Sequence, residues 1–154
     1  MRLILITTLF FISFLGFSQI KTPAASTSSK LEQTVGLTEI DIEYNRPSKK
    51  GRAIFGNLVP YGKKWRTGAN SSTKISFSTD VEISGTTLKN GTYSIFSIPN
   101  KNEWDIILYS DAELWSVPAD WDDNKIVFQS KFKVNKIGSG NEIETFTISI
   151  NNIT

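Results

Sequence analysis

A chain of 154 residues with seventeen basic and fifteen acidic side chains carries a formal charge of only +2, and it holds neither a histidine nor a cysteine. Those two absences exclude a Ser-His-Asp triad, a thiol nucleophile, zinc or copper sites built on imidazole or thiolate, and disulfide staples. The fold must hold by packing alone, and no cofactor is expected.

The chain begins "MRLILITTLFFISFLGFSQ", one arginine followed by an almost unbroken apolar run to Phe17. A basic start, a short apolar core and a small residue at its end read as a signal peptide over residues 1–18, cleaved near Ser18. A membrane span needs about 20 apolar residues with anchoring flanks, and a lipid anchor needs a cysteine at the cut site. The expected product is exported to the periplasm or beyond the cell and is not membrane-embedded, and nucleic acid is not expected as a partner. About 135 residues remain, the size of one domain. Residues 19–30, ending in "KTPAASTSSK", are poor in apolar groups and read as a flexible leader, with a single domain over 31–154.

From there the period is two. "TEIDIEYNRP" sets Ile40, Ile42 and Tyr44 against Glu39, Asp41 and Glu43, a half-buried strand that ends at Pro47. "KISFSTD" repeats the pattern with Ile75 and Phe77. In "VEISGTTLKNGTYSIFSIP" the dipeptide Asn90-Gly91 predicts a two-residue type I′ hairpin turn between two strands. "EWDIILYS" is apolar on both faces, as a central strand should be. "DAELWSVPADWDDN" is an acidic loop with at most one short helical turn. Phe128, Phe132 and Val134 alternate with Gln129, Lys131 and Lys133, and "ETFTISINNIT" alternates likewise through Phe146, Ile148 and Ile150. The sum is an all-β protein, an antiparallel β-sandwich of roughly seven to eight strands without a long helix after the signal peptide.

Several signatures fail on inspection. "GRAIFG", Gly51 to Gly56, has P-loop glycine spacing, but Asn57-Leu58 stands where the phosphate lysine and metal hydroxyl are needed. "SSTK", Ser71 to Lys74, matches Ser-x-x-Lys but leads into a strand rather than opening a helix. "DWDDN", Asp120 to Asn124, could offer oxygen ligands to calcium, yet it lacks the glycine and distal glutamate of an EF-hand loop, so a solvated acidic turn is preferred and no metal is expected. Glu43, Asp80, Glu82 and Asp105 leave a paired-carboxylate hydrolase formally open, though no spacing singles out a pair.

The chemically richest stretch runs from Tyr44 to Asn70. No acidic residue falls between Tyr44 and Thr79, while Arg46, Lys49, Lys50, Arg52, Lys63, Lys64, Arg66 and Lys74 all do. Arg46, Arg52 and Arg66 can each grip a carboxylate or phosphate. Tyr61 and Trp65 offer flat stacking surfaces, and Asn70 both donates and accepts. Together they could form a site for an anionic or carbohydrate small ligand. The same residues also admit a scaffold reading: Trp65 plugging one end of the sandwich with Arg66 stacked on it, Gly56, Gly62 and Gly68 shaping turns, and Glu43 and Asp105 answering the arginines.

"YNRPSKKGRAIFG", "LVPYGKKWRTGAN" and "GTYSIFSIP" together resemble an exported bacterial family, frequent in Bacteroidetes, catalogued as domain of unknown function 2911. The similarity runs from about Glu32 to about Thr147. It implies a secreted or periplasmic β domain and gives no activity, since none is established for the family. It also implies a further C-terminal strand pair beyond "ETFTISINNIT", whose absence here would leave an open C-terminal strand edge for a protein partner. Three functions are expected in competition: a non-catalytic binding module using Arg46, Arg52, Tyr61, Trp65, Arg66 and Asn70; an envelope structural or protein-interaction module; and a hydrolase with a carboxylate beside Arg46 and Trp65 in one pocket.

Overall fold

The computed structural model describes residues 22–138 and 140–151; the segment read as a signal peptide lies outside them. Eight strands follow in order: β1 Thr27–Val35, β2 Thr38–Arg46, β3 Thr73–Phe77, β4 Val81–Ile83, β5 Thr86–Leu88, β6 Gly91–Pro99, β7 Glu103–Tyr109 and β8 Ile126–Lys133. All pairings between these strands are antiparallel. Six strands form one open sheet in the order β1-β2-β3-β6-β7-β8, and β4 pairs only with β5. The protein is all-β, with a single 3-10 turn at Asp123–Lys125 among the described residues.

The period-two pattern explains the layering. Ile40 on β2, Ile75 and Phe77 on β3, Tyr93 and Ile95 on β6, Leu108 on β7 and Phe128 on β8 share one face. There the small β4–β5 hairpin caps them with Val81, Ile83 and Leu88. On the opposite face Phe96, Ile107 and Tyr109 are covered by Leu114, Val117 and Trp121 of the acidic loop. β6 and β7 are therefore apolar on both sides because both sides are covered, which makes the arrangement sandwich-like rather than a closed barrel.

Three local expectations need correction. Order begins at Thr27 rather than near Leu31: residues 27–30 pair with residues 43–46 of β2, and ladder hydrogen bonds rather than burial carry that end of β1. The type I′ conformation sits at Ser84-Gly85, with φ of 50° and 81°, between β4 and β5. Asn90-Gly91 joins no hairpin, because Gly91 leaves the small sheet to pair with Phe77 of β3. Its neighbour Asn90 instead donates its N–H to Asp80 at 2.9 Å.

Over its described residues, 144–151, the C-terminal alternation also forms no strand. Its backbone groups are claimed by other partners: the Phe146 N–H donates to the Pro47 carbonyl, the Phe146 carbonyl accepts from Arg46 Nε, and Ile148 exchanges hydrogen bonds with the Tyr44 hydroxyl. Only an isolated bridge joins Ser48 and Thr145. The open sheet edges are consequently β1 and β8.

Two measurements check this architecture. Phe96 is fully buried, so Phe96→Ala is expected to lower unfolding free energy by about 3–5 kcal/mol in chemical denaturation. Asp80 accepts from Lys89 at 2.8 Å and from the Asn90 N–H, and these bonds, the lysine first, hold its carboxyl below the usual aspartate range. A depressed folded pKa contributes stability above the unfolded pKa and loses it as pH falls through the folded one. The melting-temperature gap between the parent and Asp80→Asn should therefore be present at about pH 6 and close toward about pH 2–3; a gap independent of pH would contradict the assignment.

Candidate functional site

Between β2 and β3 the chain makes a long excursion that returns to the sheet along β6. Lys50 and Gly51 take positive φ, and the Arg52 N–H closes a turn on the Lys49 carbonyl. A second tight turn follows at Phe55–Val59. Gly56 has φ of 86°, and a Cβ there would lie 2.5 Å from the Tyr61 ring, so glycine is required for both backbone and space. The chain then occupies the edge of β6 beyond the end of β3: the Gly62 N–H donates to the Pro99 carbonyl, and Trp65 and Ser97 exchange backbone hydrogen bonds at 2.8 and 2.9 Å.

A seam of buried hydroxyls locks this return in place. Thr67 Oγ1 lies 3.0 Å from Ser97 Oγ, Ser72 Oγ lies 2.8 Å from Ser94 Oγ, and Thr73 Oγ1 donates to the Thr67 carbonyl at 2.6 Å. Thr67 and Asn70 both adopt left-handed backbone, at φ of 54° and 57°. Between them Gly68 presses against β2: an added Cβ would sit 3.1 Å from the Asn45 carbonyl oxygen. Non-glycine residues held at positive φ cost on the order of 1–3 kcal/mol each and persist where the surroundings over-determine them.

The six residues singled out from the sequence separate into different roles. Arg46 is a clamp on the C-terminal segment, donating from Nε to the Phe146 carbonyl at 3.0 Å and from Nη2 to Thr147 Oγ1 at 2.9 Å. Arg52 folds back on its own turn, donating to the Lys49 and Ser48 carbonyls. Trp65 is half-buried in a cluster of edge-to-face rings with Phe55, Trp104 and Phe146, and its indole N–H donates to the Gly68 carbonyl. Tyr61 covers Gly56 and keeps 38% of its surface exposed. Asn70 donates to Asn45 Oδ1 at 3.2 Å.

Arg66 differs from all of these. Its carbonyl accepts from the Thr73 N–H, but its Nε is buried without a hydrogen-bond partner, the one buried side-chain nitrogen or oxygen in that state among the described residues. Lys64, two residues earlier, places its ammonium 4.7 Å from the Trp121 ring centroid, a cation–π contact.

Nor do the expected acids answer the basic stretch. Lys49 pairs with Glu142, the Lys50 N–H donates to Glu144 at 2.7 Å, and Lys74 pairs with Glu113 at 2.6 Å. Asp105 instead accepts from Gln129 at 3.2 Å. Glu113, Glu142 and Glu144, like Trp104 and Phe146, lie far along the chain from the residues they meet, so no local spacing could have flagged them. In "DWDDN" Asp122 accepts from the backbone and side chain of Asn124, and Asp123 from the Trp121 indole. No group of three or more carboxylates comes together to hold a metal among the described residues.

Among the described residues, none of the six lines either of the two best-formed surface grooves. One, of about 300 Å³, lies where β1, β2 and the entry to β3 meet, lined by residues that include Ser28, Ser29, Glu43, Asn45, Ser71 and Lys74. Asn45 is its fixed wall, accepting from Asn70 and donating to Ser71 Oγ at 3.3 Å. The other, of about 270 Å³, is acidic, with Glu32, Glu39 and Asp41. No helix among the described residues is long and apolar enough to cross a membrane.

No curated protein and no solved structure matches the chain. The model of one family, described as "Protein of unknown function (DUF2911)", matches residues 26–154, which takes in the turns, the aromatic cluster and both grooves described above. The chain belongs to this family.

Proposed function

We propose that this protein is an exported, non-catalytic binding module for a small anionic or polar ligand, with Arg66 as the group that meets the ligand's negative charge. The observation that carries the reading is the buried, unpartnered Nε of Arg66. A buried donor left unsatisfied costs about 1–3 kcal/mol, more when it belongs to a charged group, and a carboxylate or phosphate oxygen is the partner that a guanidinium fits best. Arg46 and Arg52 spend their donors on the chain itself and act as scaffold. Export rests on the apolar N-terminal run with its single arginine.

The competing readings lack comparable support. A carboxylate hydrolase requires an acid beside Arg46 and Trp65 in one concavity, and neither groove includes either residue. Strand addition by a protein partner could use the β8 edge, but Lys131 and Lys133 stand on that strand, and edge lysines discourage such pairing.

The test is a thermal-shift series with glucuronate, galacturonate, citrate and a short peptide bearing a free carboxylate, run on the parent, Arg66→Ala and Arg46→Ala. At least one anion should raise the parent's melting temperature by mass action. Arg46→Ala should start from a lower melting temperature and still respond, whereas Arg66→Ala should not respond. Raising salt from about 50 to about 500 mM should shrink the shift, because screening weakens the attraction of an anion to the exposed cations around Arg66. An equal response in Arg66→Ala, or none from any anion with the parent, would overturn the proposal.

A further inference from the structure

We infer that the protein pairs with a second copy of itself along the outer edge of β1, in an antiparallel register centred on Leu31 that joins two six-stranded sheets into one. β1 has β2 on one side and no strand on the other among the described residues. The contact does not involve Arg66.

This edge lacks the protections of its counterpart. β1 runs for nine residues, Thr27–Val35, without proline, and its register against β2 is unbroken. On the opposite edge, β8 carries Lys131 and Lys133, and its ladder with β7 shifts between Leu108 and Tyr109. The backbone groups that β1 offers can be read from β2. Glu39 turns toward the β3 side, where its carbonyl accepts from the Ser78 N–H and its N–H donates to Ser78 Oγ. Thr34, its partner on β1, therefore stands in a non-hydrogen-bonded pair and turns its own N–H and C=O outward. With a period of two, Ser28, Lys30 and Glu32 do the same. The Thr34 carbonyl accepts from the Gln33 side-chain amide at 3.0 Å, as an outward-facing group can.

Charge selects both the partner and the register. A two-fold axis normal to the sheet keeps like faces together, so facing residues must share a side of the strand. The nine residues overlap in full only when that axis passes Leu31. Lys30 then stands opposite the partner's Glu32, and Glu32 opposite the partner's Lys30. The outward backbone groups of these two residues meet each other across the axis, and those of Ser28 meet the partner's Thr34. Moving the axis by one residue sets lysine against lysine or glutamate against glutamate, and like charges directly opposite are unfavourable. Lys30 already pairs with Glu32 of its own strand and with Asp41 of β2, so in the dimer the four charges around the axis alternate in sign. On the other face Leu31 meets the partner's Leu31. A second copy supplies every complement by symmetry.

One strand pair about 30 Å long is small beside a standard interface, so the dimer should form reversibly as concentration rises. The experiment combines sedimentation velocity with disulfide trapping, in a chain that has no cysteine of its own. The parent should pass from monomer to dimer between about 1 μM and about 1 mM. Leu31→Cys should be trapped as a covalent dimer by oxidised glutathione, which accepts the two electrons and leaves as two thiols. The reason is geometric: Leu31 spends its backbone groups on β2, so it meets its counterpart in a non-hydrogen-bonded pair with Cα atoms about 4.5 Å apart, within disulfide range. Gln33→Cys lies on the same face but opposite the partner's Ser29, which leaves the two thiols about 13 Å apart and untrapped.

Lys30 and Glu32 are exposed, so reversing either charge should leave the fold intact. Lys30→Glu and Glu32→Lys should each weaken the dimer by about tenfold or more. Mixing the two variants should restore it as a heterodimer, because every facing pair again has opposite sign. A monomer throughout the concentration range, equal trapping of Leu31→Cys and Gln33→Cys, a dimer that leaves Leu31→Cys untrapped, or a dimer indifferent to both reversals would each overturn the inference.

Discussion

Strand β6 is hydrogen-bonded along both edges and covered on both faces, and this double enclosure is the constraint on which the rest of the protein depends. One edge pairs with β7 from Ser94 to Pro99. The other is shared: Gly91 to Ile95 pair with β3, and the next residues pair with the returning loop through Trp65 and Gly62. Phe96 points into one apolar cluster and Tyr93 into the other. With no disulfide to hold the chain, the apolar area removed from water along β6 and β7 supplies the main cohesion. The loops are ordered because they complete that burial.

This explains why a segment rich in glycine and lysine is not a floppy excursion. Its backbone donors have a sheet edge to meet, its hydroxyls interlock with Ser94 and Ser97, and its aromatic residues close one end of the sheet with Trp104 and Phe146. Two of the cations between Tyr44 and Thr79 are answered by glutamates from distant segments, Lys74 by Glu113 of the acidic loop and Lys49 by Glu142, while Glu144 accepts from the Lys50 N–H. Exposed pairs of that kind contribute little stability each, about 0–1 kcal/mol. Arg66 differs from its neighbours in having a buried Nε without a hydrogen-bond partner, the feature on which the proposed anion binding rests.

On the proposed function, the open requirement around Arg66 is negative charge. The groove at β1 and β2 is lined differently, by residues that include Ser28, Asn45, Ser71, Lys30, Glu43 and Lys74. The turn through Gly68 and Asn70 connects them, since the same backbone that carries Arg66 to the edge of β6 also sets Ser71 and Ser72 against Asn45.

Sequence by itself determined the all-β class, most strand positions and the enclosed character of "EWDIILYS", because side-chain alternation is a local property with a period of two. It also marked the stretch from Tyr44 to Asn70, since arginine, tryptophan and glycine in that density are legible without a fold. Only tertiary structure decided which hairpin took the type I′ turn, because Asn90-Gly91 and Ser84-Gly85 both have the chemistry for it and the pairing of Gly91 with Phe77 chose between them. It likewise decided that residues 144–151 form no strand, that Arg46 and Arg52 donate to oxygens of the chain itself, and that Glu142 and Glu113 answer Lys49 and Lys74. The physical reason is the same in each case: hydrogen-bond and charge partners distant in sequence compete for the same groups, and local pattern does not record the competition.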